Sequence, residues 1–436
     1  MRTDLVHAYA RFGFGRSPRD PSPPDLAAWL AGQLEGADPG PEGASVADAF
    51  AALEQDREER RENKPGAERK RLARAMFQAE TAALQDWAIA TPSPFRERLV
   101  WFWANHFTVS IRAGRVAPLV GAYVRDAIRP HVTGRFADML LAVMRHPAML
   151  IYLDNAGSVG PNSRVGLKQS KGLNENLARE CLELHTLSPA AGYSQADVTS
   201  LARLLTGWSI ERREQPGFRF RPFVHEPGGQ TLMGRPFGEG EEGGRAALVF
   251  LADHAATHRH LASKLVRHFV ADAPPADAVR RVEGVLRDSG GDLRAASLTL
   301  IRLPGAWTPL AKLRTPQELV LATLRGAALA PERRRPERRP PVNGIVSGLG
   351  QGMFDAPFPI GWPDTAQDWA GPEAMLRRID WAYGFAGRPE LPEPAALAEV
   401  LLGPLLSADT ASAMRTAGSR RDAITLLIAS PEFQRR

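Results

Sequence analysis

The sequence has one cysteine in 436 residues and no apolar run approaching the roughly 18 residues that a membrane-spanning helix requires. Cys181 alone excludes an intramolecular disulfide and any Cys-x-x-Cys metal or redox pair, and it fits a reducing compartment. Met1-Arg2-Thr3-Asp4 opens no long apolar segment of the secretory kind, so cytoplasmic residence is the default expectation, with export alongside a partner left open. Gly-x-Ser-x-Gly, Gly-x-x-x-x-Gly-Lys-Ser/Thr, His-Glu-x-x-His and Glu-x-x-His are all missing. With them go the strongest sequence markers of nucleophile elbows, phosphate-binding loops, zinc proteases and di-iron carboxylate bundles. No repeat of fixed period is present, which argues against a solenoid.

A large charge imbalance is also lacking. The net charge of +6 comes from 55 basic against 49 acidic residues, interleaved along most of the chain. No aromatic-basic strand motif, zinc-finger spacing or helix-turn-helix pattern accompanies it, so no nucleic-acid partner is expected.

What the chain does have is helical periodicity. Apolar residues recur at three- and four-residue spacing over 25–34, 67–90, 94–109, 118–128, 136–145, 174–187 and 195–206, then over 244–253, 257–271, 276–288, 292–302, 315–329, 373–385, 394–403 and 419–430. Ser93-Pro94 predicts one helix start, and Ser194 with Asp197 predicts another through a capping box. Between 208 and 234, β-rich aromatic stretches separated by Pro and Gly predict a small β-hairpin. The expected fold is therefore mainly α, a single multihelical unit over 1–436 with one hairpin insertion. Residues 36–71, rich in Gly, Pro and mixed charge, read as an exposed surface segment, and 331–341 as an exposed Arg/Pro linker.

Polar chemistry concentrates in Leu173-Asn174-Glu175-Asn176-Leu177-Ala178-Arg179-Glu180-Cys181-Leu182-Glu183-Leu184-His185. At 100° per residue the apolar face is Leu173, Leu177, Leu184 and Leu187, with Cys181 at its margin, and Glu180 falls inside it. A carboxylate in a packed interface costs several kcal/mol if left unpaired, so Glu180 needs a cation, a metal or a proton. Either Arg98 or Arg203 pairs with it, or Glu180 and Glu183, with Asn176, form a divalent-metal site or an acid/base pair. On the helix beginning at Pro94, His106 shares a face with Phe95, Leu99 and Phe102, while Asn105 lies beside Arg98 and Trp101. His106 reads as a core histidine or, alternatively, as a metal ligand or general base. Asn105 suits either a ligand's carboxylate or hydroxyl or plain cross-helix hydrogen bonding.

The loop from Asp154 to Gly172 is long for a compact protein. Lys168 and Lys171 suit an anion, whereas Asp154, Asn155, Asn162 and Glu175 offer oxygens to a hard cation, and an ordered cap over the core is the plain alternative. His254 and His258 have the spacing of a metal pair.

Taken with Arg11-Phe12-Gly13-Phe14-Gly15, Phe102-Trp103-Ala104-Asn105-His106-Phe107, His146-Pro147, Tyr152-Leu153-Asp154-Asn155, Gly160-Pro161-Asn162-Ser163 and the closing Ala429-Ser430-Pro431-Glu432-Phe433-Gln434, the polar helix resembles the bacterial family called domain of unknown function 1800. The resemblance extends to Lys264, Arg267 and Phe269 and to Gly361-Trp362-Pro363. It implies no established reaction. It does imply frequent association with an exported, alkaline-phosphatase-like family, domain of unknown function 1501.

Two readings follow. In the first, the Pro94 helix, the 154–172 loop and the Asn174 helix enclose one cleft for a small polar ligand, with no cofactor specified beyond a divalent metal at Glu180 and Glu183. There Glu180, Glu183, His106 and His185 are the candidate acid/base residues, and Asn105, Asp154, Asn155, Asn162, Lys171, Asn174, Glu175, Asn176 and Arg179 the candidate ligand contacts. In the second, the protein is a non-catalytic partner or maturation factor, whose mark would be an exposed apolar patch.

Overall fold

Helices make up most of the computed structural model, which describes residues 1–38, 40–62, 71–169, 172–328 and 342–436. No helix among them is long and apolar enough to cross a membrane. The capping box at Ser194 and Asp197 forms as the sequence predicts. Ser93 does precede the Pro94–His106 helix, but its side chain caps nothing. The free amide of Phe95 is taken instead by Gln33 Oε1 at 2.8 Å, a contact from another element.

Two large hydrophobic cores result, with a small third cluster of Leu5, Ala8, Tyr9 and Leu26. The larger gathers side chains from Phe12 to Ala306 together with Met353, including Leu99, Phe102, Trp103, Leu177, Leu265 and Phe269. The second is built by residues 319–433, centred on the Pro316–Gly326, Pro372–Ala386 and Arg420–Ala429 helices, with Phe14 and Ile89. Trp101 packs against both, so the Pro94–His106 helix lies at their junction.

The opening helix Thr3–Phe12, which periodicity does not reveal because nearly every side chain in it is buried, leads into Arg11-Phe12-Gly13-Phe14-Gly15. Arg11 donates to the carbonyls of Phe269 at 3.0 Å and Val270 at 2.8 Å, satisfying the last turn of the Ala255–Phe269 helix. It also reaches the carbonyls of Thr308 and Arg436. Gly13 is required by contact, since an added Cβ would meet Pro94 Cβ and Tyr9 O at 2.9 Å. This motif thus fixes the Ala255–Phe269 helix against the start of the Pro94–His106 helix.

The β region comprises two two-stranded antiparallel hairpins, Trp208–Glu211 with Gly217–Phe220 and Gln230–Leu232 with Arg235–Phe237, rather than one. Within 36–71, the segment expected to be exposed surface, Val46–Glu62 is instead a helix with a buried inner face packed on Leu72–Ala90. Only a few apolar residues, among them Ala49, Phe50 and Leu53, mark its inner face, so the charge-rich remainder masks the period. Asp56 on this helix accepts from Leu72 N and Ala73 N and so caps the next one. The predicted 331–341 linker lies outside the described residues.

Candidate functional site

The polar helix is not a uniform α-helix. Asn176–Glu180 is α-helical and Cys181–His185 is a π-turn, a feature frequent at functional sites. The buried stripe is Leu177, Ala178, Cys181, Leu182 and His185. Glu180 is therefore half-buried at the margin rather than inside the packed face. A 100° wheel begun at Leu173 counts three residues that precede the helix and others in the wider π-turn. Neither predicted partner reaches Glu180: Arg98 pairs with Glu318, and among the described residues Glu180 has no ion pair with Arg203 or any other cation. Burial, reinforced by Glu183, raises the Glu180 pKa. Among the described residues no group of three or more His, Cys, Asp or Glu side chains is placed to hold a metal ion, so the Glu180–Glu183 pair lacks a third such donor, and so do His254 and His258.

The loop residues mostly hold the backbone. Buried Asn155 donates to the carbonyls of Leu205 at 3.1 Å and Trp208 at 3.0 Å. Asn162 is gripped by Glu226, through its backbone N at 2.9 Å and its Nδ2 at 2.6 Å. Asn174 Oδ1 accepts from Asn176 N at 2.9 Å, an Asx-type helix start. Glu175 accepts from Thr199 Oγ1 at 2.7 Å, Gln195 Nε2 at 2.8 Å and Arg179 at 3.1 Å, and these bonds lower its pKa. Asp154, exposed and at a φ of 55°, joins Asn174, Glu175 and Asn176 along an open groove of about 1110 Å³ beside the first hairpin. Lys171 lies outside the described residues.

Asn105, His106 and Leu184 face a different space. A cavity of about 740 Å³ lies at the junction of the two cores, between the Pro94–His106 and Ala255–Phe269 helices and the segment 351–369. The single cleft expected from sequence is thus two separate spaces. Asn105 clamps the peptide groups of Trp362, accepting from its N at 2.8 Å and donating to its O at 2.9 Å. Gly361, at a φ of 82°, makes the approach possible, because a Cβ there would sit 2.4 Å from Asn105 O. Trp362 in turn donates to Gly352 O at 3.0 Å.

The π-turn meets the cavity through its carbonyls. His106 Nε2 lies 3.1 Å from His185 O, and His260 Nε2 lies 3.0 Å from Leu184 O. A carbonyl only accepts, so each Nε2 carries the hydrogen, and burial, which lowers both pKa values, keeps each ring neutral. His106 Nδ1 is left buried without a partner, as are both ring nitrogens of His185. Burial brings His260 down to about 4 and His185 to about 3, with Lys264 adding to both shifts.

The floor is a closed charge network. Glu318, paired with Arg98 and Arg436, is drawn down to about 2 against the opposing effect of burial. Arg98 Nε donates to His268 Nε2 at 3.1 Å, which places the imidazole hydrogen on Nδ1, and Nδ1 donates to Asp364 Oδ2 at 2.6 Å. Asp364, whose burial is outweighed by His268, Lys312 and Arg436, stays well below the usual carboxylate range. Lys312 Nζ is held at 2.5 Å by both Asp272 Oδ1 and Asp364 O. In this network three cations, Arg98, Lys312 and Arg436, meet three anions, Glu318, Asp272 and Asp364.

Lys264 and Arg267 stand outside that balance. Both line the cavity, both are half-buried, and neither has a hydrogen bond or ion pair among the described residues. Burial, reinforced by Arg267, lowers the Lys264 pKa to about 8. Aromatic side chains of Phe14, Trp101, Phe102, Trp362 and Trp369 supply the walls. Sequence reasoning named Lys264 and Arg267 and left them facing either the site or solvent. It missed His260, His268, Glu318 and Asp364 as a group, and the one available signal was 260, 264, 267 and 268 falling on a single helical face.

A family model described as Protein of unknown function (DUF1800) matches residues 7–435. No curated protein and no solved structure matches the chain.

Proposed function

The chain belongs to the DUF1800 family, and from that premise we propose that the junction cavity binds a small ligand with a carboxylate or phosphate group and an apolar body. The observation that carries this reading is the pair of unmatched cations, Lys264 and Arg267, in a cavity whose deeper charges compensate one another. A buried unpaired cation is costly, and an incoming anion removes that cost. The apolar body packs on Phe102, Trp101 and Trp362. Calorimetric titration with phenylacetate and with inorganic phosphate tests the proposal. Binding that Lys264→Met and Arg267→Ala each weaken roughly 10- to 100-fold supports it, because charged hydrogen bonds contribute about 1.5–3 kcal/mol. Tight binding unaffected by both substitutions, or no binding of either probe, sinks it.

A second reading, as a binding partner for a protein of the domain of unknown function 1501 family, is favoured by one surface feature. On the Pro372–Ala386 helix, Leu376, Ile379 and Tyr383 form an exposed stripe at 62%, 41% and 46% exposure. Co-purification of the two proteins, abolished by Leu376→Asp, is the expected result. Separate elution of both intact proteins counts against it.

A further inference from the structure

We propose that Lys264 forms a reversible imine with a 2-oxo acid held in the junction cavity, its carboxylate on Arg267. This rests on the anion-binding reading above and specifies the ligand class. The argument begins with the contrast between two lysines. Lys312 is tied to Asp272 and Asp364, as an ammonium kept for structural charge should be. Lys264 is given no carboxylate, although Glu318 and Asp364 line the same cavity, because Arg98, Arg436, Lys312 and His268 already engage those acids.

Around Lys264, burial first and Arg267 second disfavour the ammonium, and the one group favouring it is Asp364, already paired with His268, Lys312 and Arg436. Arg267 is three residues on, so the two side chains are neighbours on one face, about 5–6 Å apart at Cβ. The neighbouring imidazoles of His260, His106 and His185 are neutral, their pKa values all lowered by burial first. Desolvation beside another cation is an established way of turning a lysine into a nucleophilic amine. With its pKa near 8, Lys264 carries roughly a hundredfold more neutral amine at that pH than an ordinary lysine does. A bidentate carboxylate on Arg267 would set the adjacent carbonyl carbon toward Lys264 Nζ, with the aromatic walls to pack against the rest of the ligand.

The step balances without a further reagent. The free amine adds to the carbonyl carbon to give a carbinolamine, and the C–O bond then breaks as the C=N bond forms. Overall, one ammonium and one carbonyl give one protonated imine and one water, which carries away the carbonyl oxygen and two of the three ammonium protons.

The experiment is reductive trapping of the full-length protein with pyruvate and sodium cyanoborohydride, located by peptide mass mapping. The same samples are followed for thermal stabilisation by inorganic phosphate. The expected result is an adduct on Lys264 about tenfold or more above exposed Lys168, rising with pH through about 8. Lys264→Arg should remove the adduct yet keep phosphate stabilisation, which also reports that the variant is folded. Phosphate stabilisation with no adduct on Lys264, or with equal labelling of Lys168, overturns the imine and leaves the anion site standing. Neither stabilisation nor adduct overturns both.

Discussion

Two polar regions of this protein put similar side chains to opposite uses. Along 154–185, the amide- and carboxylate-rich segment that dominates the sequence, Asn155, Asn162, Asn174 and Glu175 are engaged with backbone or neighbouring side chains. Across the junction cavity, drawn from residues 14 to 369, the buried charges close on one another except at Lys264 and Arg267, while exposed Asp368 at the rim takes a hydrogen bond from Thr365. Density of polar residues in sequence therefore marks a stabilised loop here, whereas the unmatched charge lies on a helix that reads as ordinary. The lesson is that a site is recognised by what is left unpaired after folding.

Acid separates the two regions most strongly. His260, which lines the cavity, has its pKa lowered by burial to about 4, while an unfolded histidine ionises near 6.5. Between those values the unfolded chain binds a proton that the folded chain does not, so stability is complete above pH 6.5 and falls as pH drops, by up to about 1.4 kcal/mol per pH unit for each such histidine. Glu175 responds later. Its folded pKa is lowered, so its contribution is full above 4.5 and is lost as pH falls below that. Denaturant titrations from pH 7 to 4, with amide exchange to locate the opening, should show the cavity side loosening first. Simultaneous loosening of both would erase the distinction.

Glu318→Gln attacks the network directly. It removes the charge that Arg98 and Arg436 share in a buried setting, and about 3–5 kcal/mol of stability should go with it in urea denaturation. Gly361→Ala strains a left-handed residue against Asn105, at about 1–3 kcal/mol. Asn105→Ala strands both peptide groups of Trp362 and should cost a similar amount. The smallest effect is expected from the pair that sequence singled out: Glu180→Gln with Glu183→Gln should shift stability by less than about 0.5 kcal/mol at neutral pH and leave phosphate binding unchanged. Loss of binding in that variant would restore the polar helix as the site.

Fold class was legible because burial imposes a 3.6-residue period wherever a helix has one wet face, as in Gln195–Leu204. Thr3–Phe12 escaped since it is buried nearly all round, and Val46–Glu62 since charge hides its narrow apolar side. The β-region was found but under-divided, because turns after Leu232 and after Glu211 look alike until strands pair. The burial of His106 was legible from its position beside Phe95, Leu99 and Phe102, whereas its place in the cavity lining was not. His268, Asp364 and Glu318 were not legible as one network, because their separations in sequence carry no period.

By itself the sequence determined that this chain is helical and which of its motifs are polar, since propensity, capping and periodicity act over a few residues. Only the tertiary structure decided that the polar motif braces a loop, and that Lys264 and Arg267 are left without counter-charge. Charge compensation is a sum over residues brought together from distant parts of the chain, and no local pattern records which term is missing.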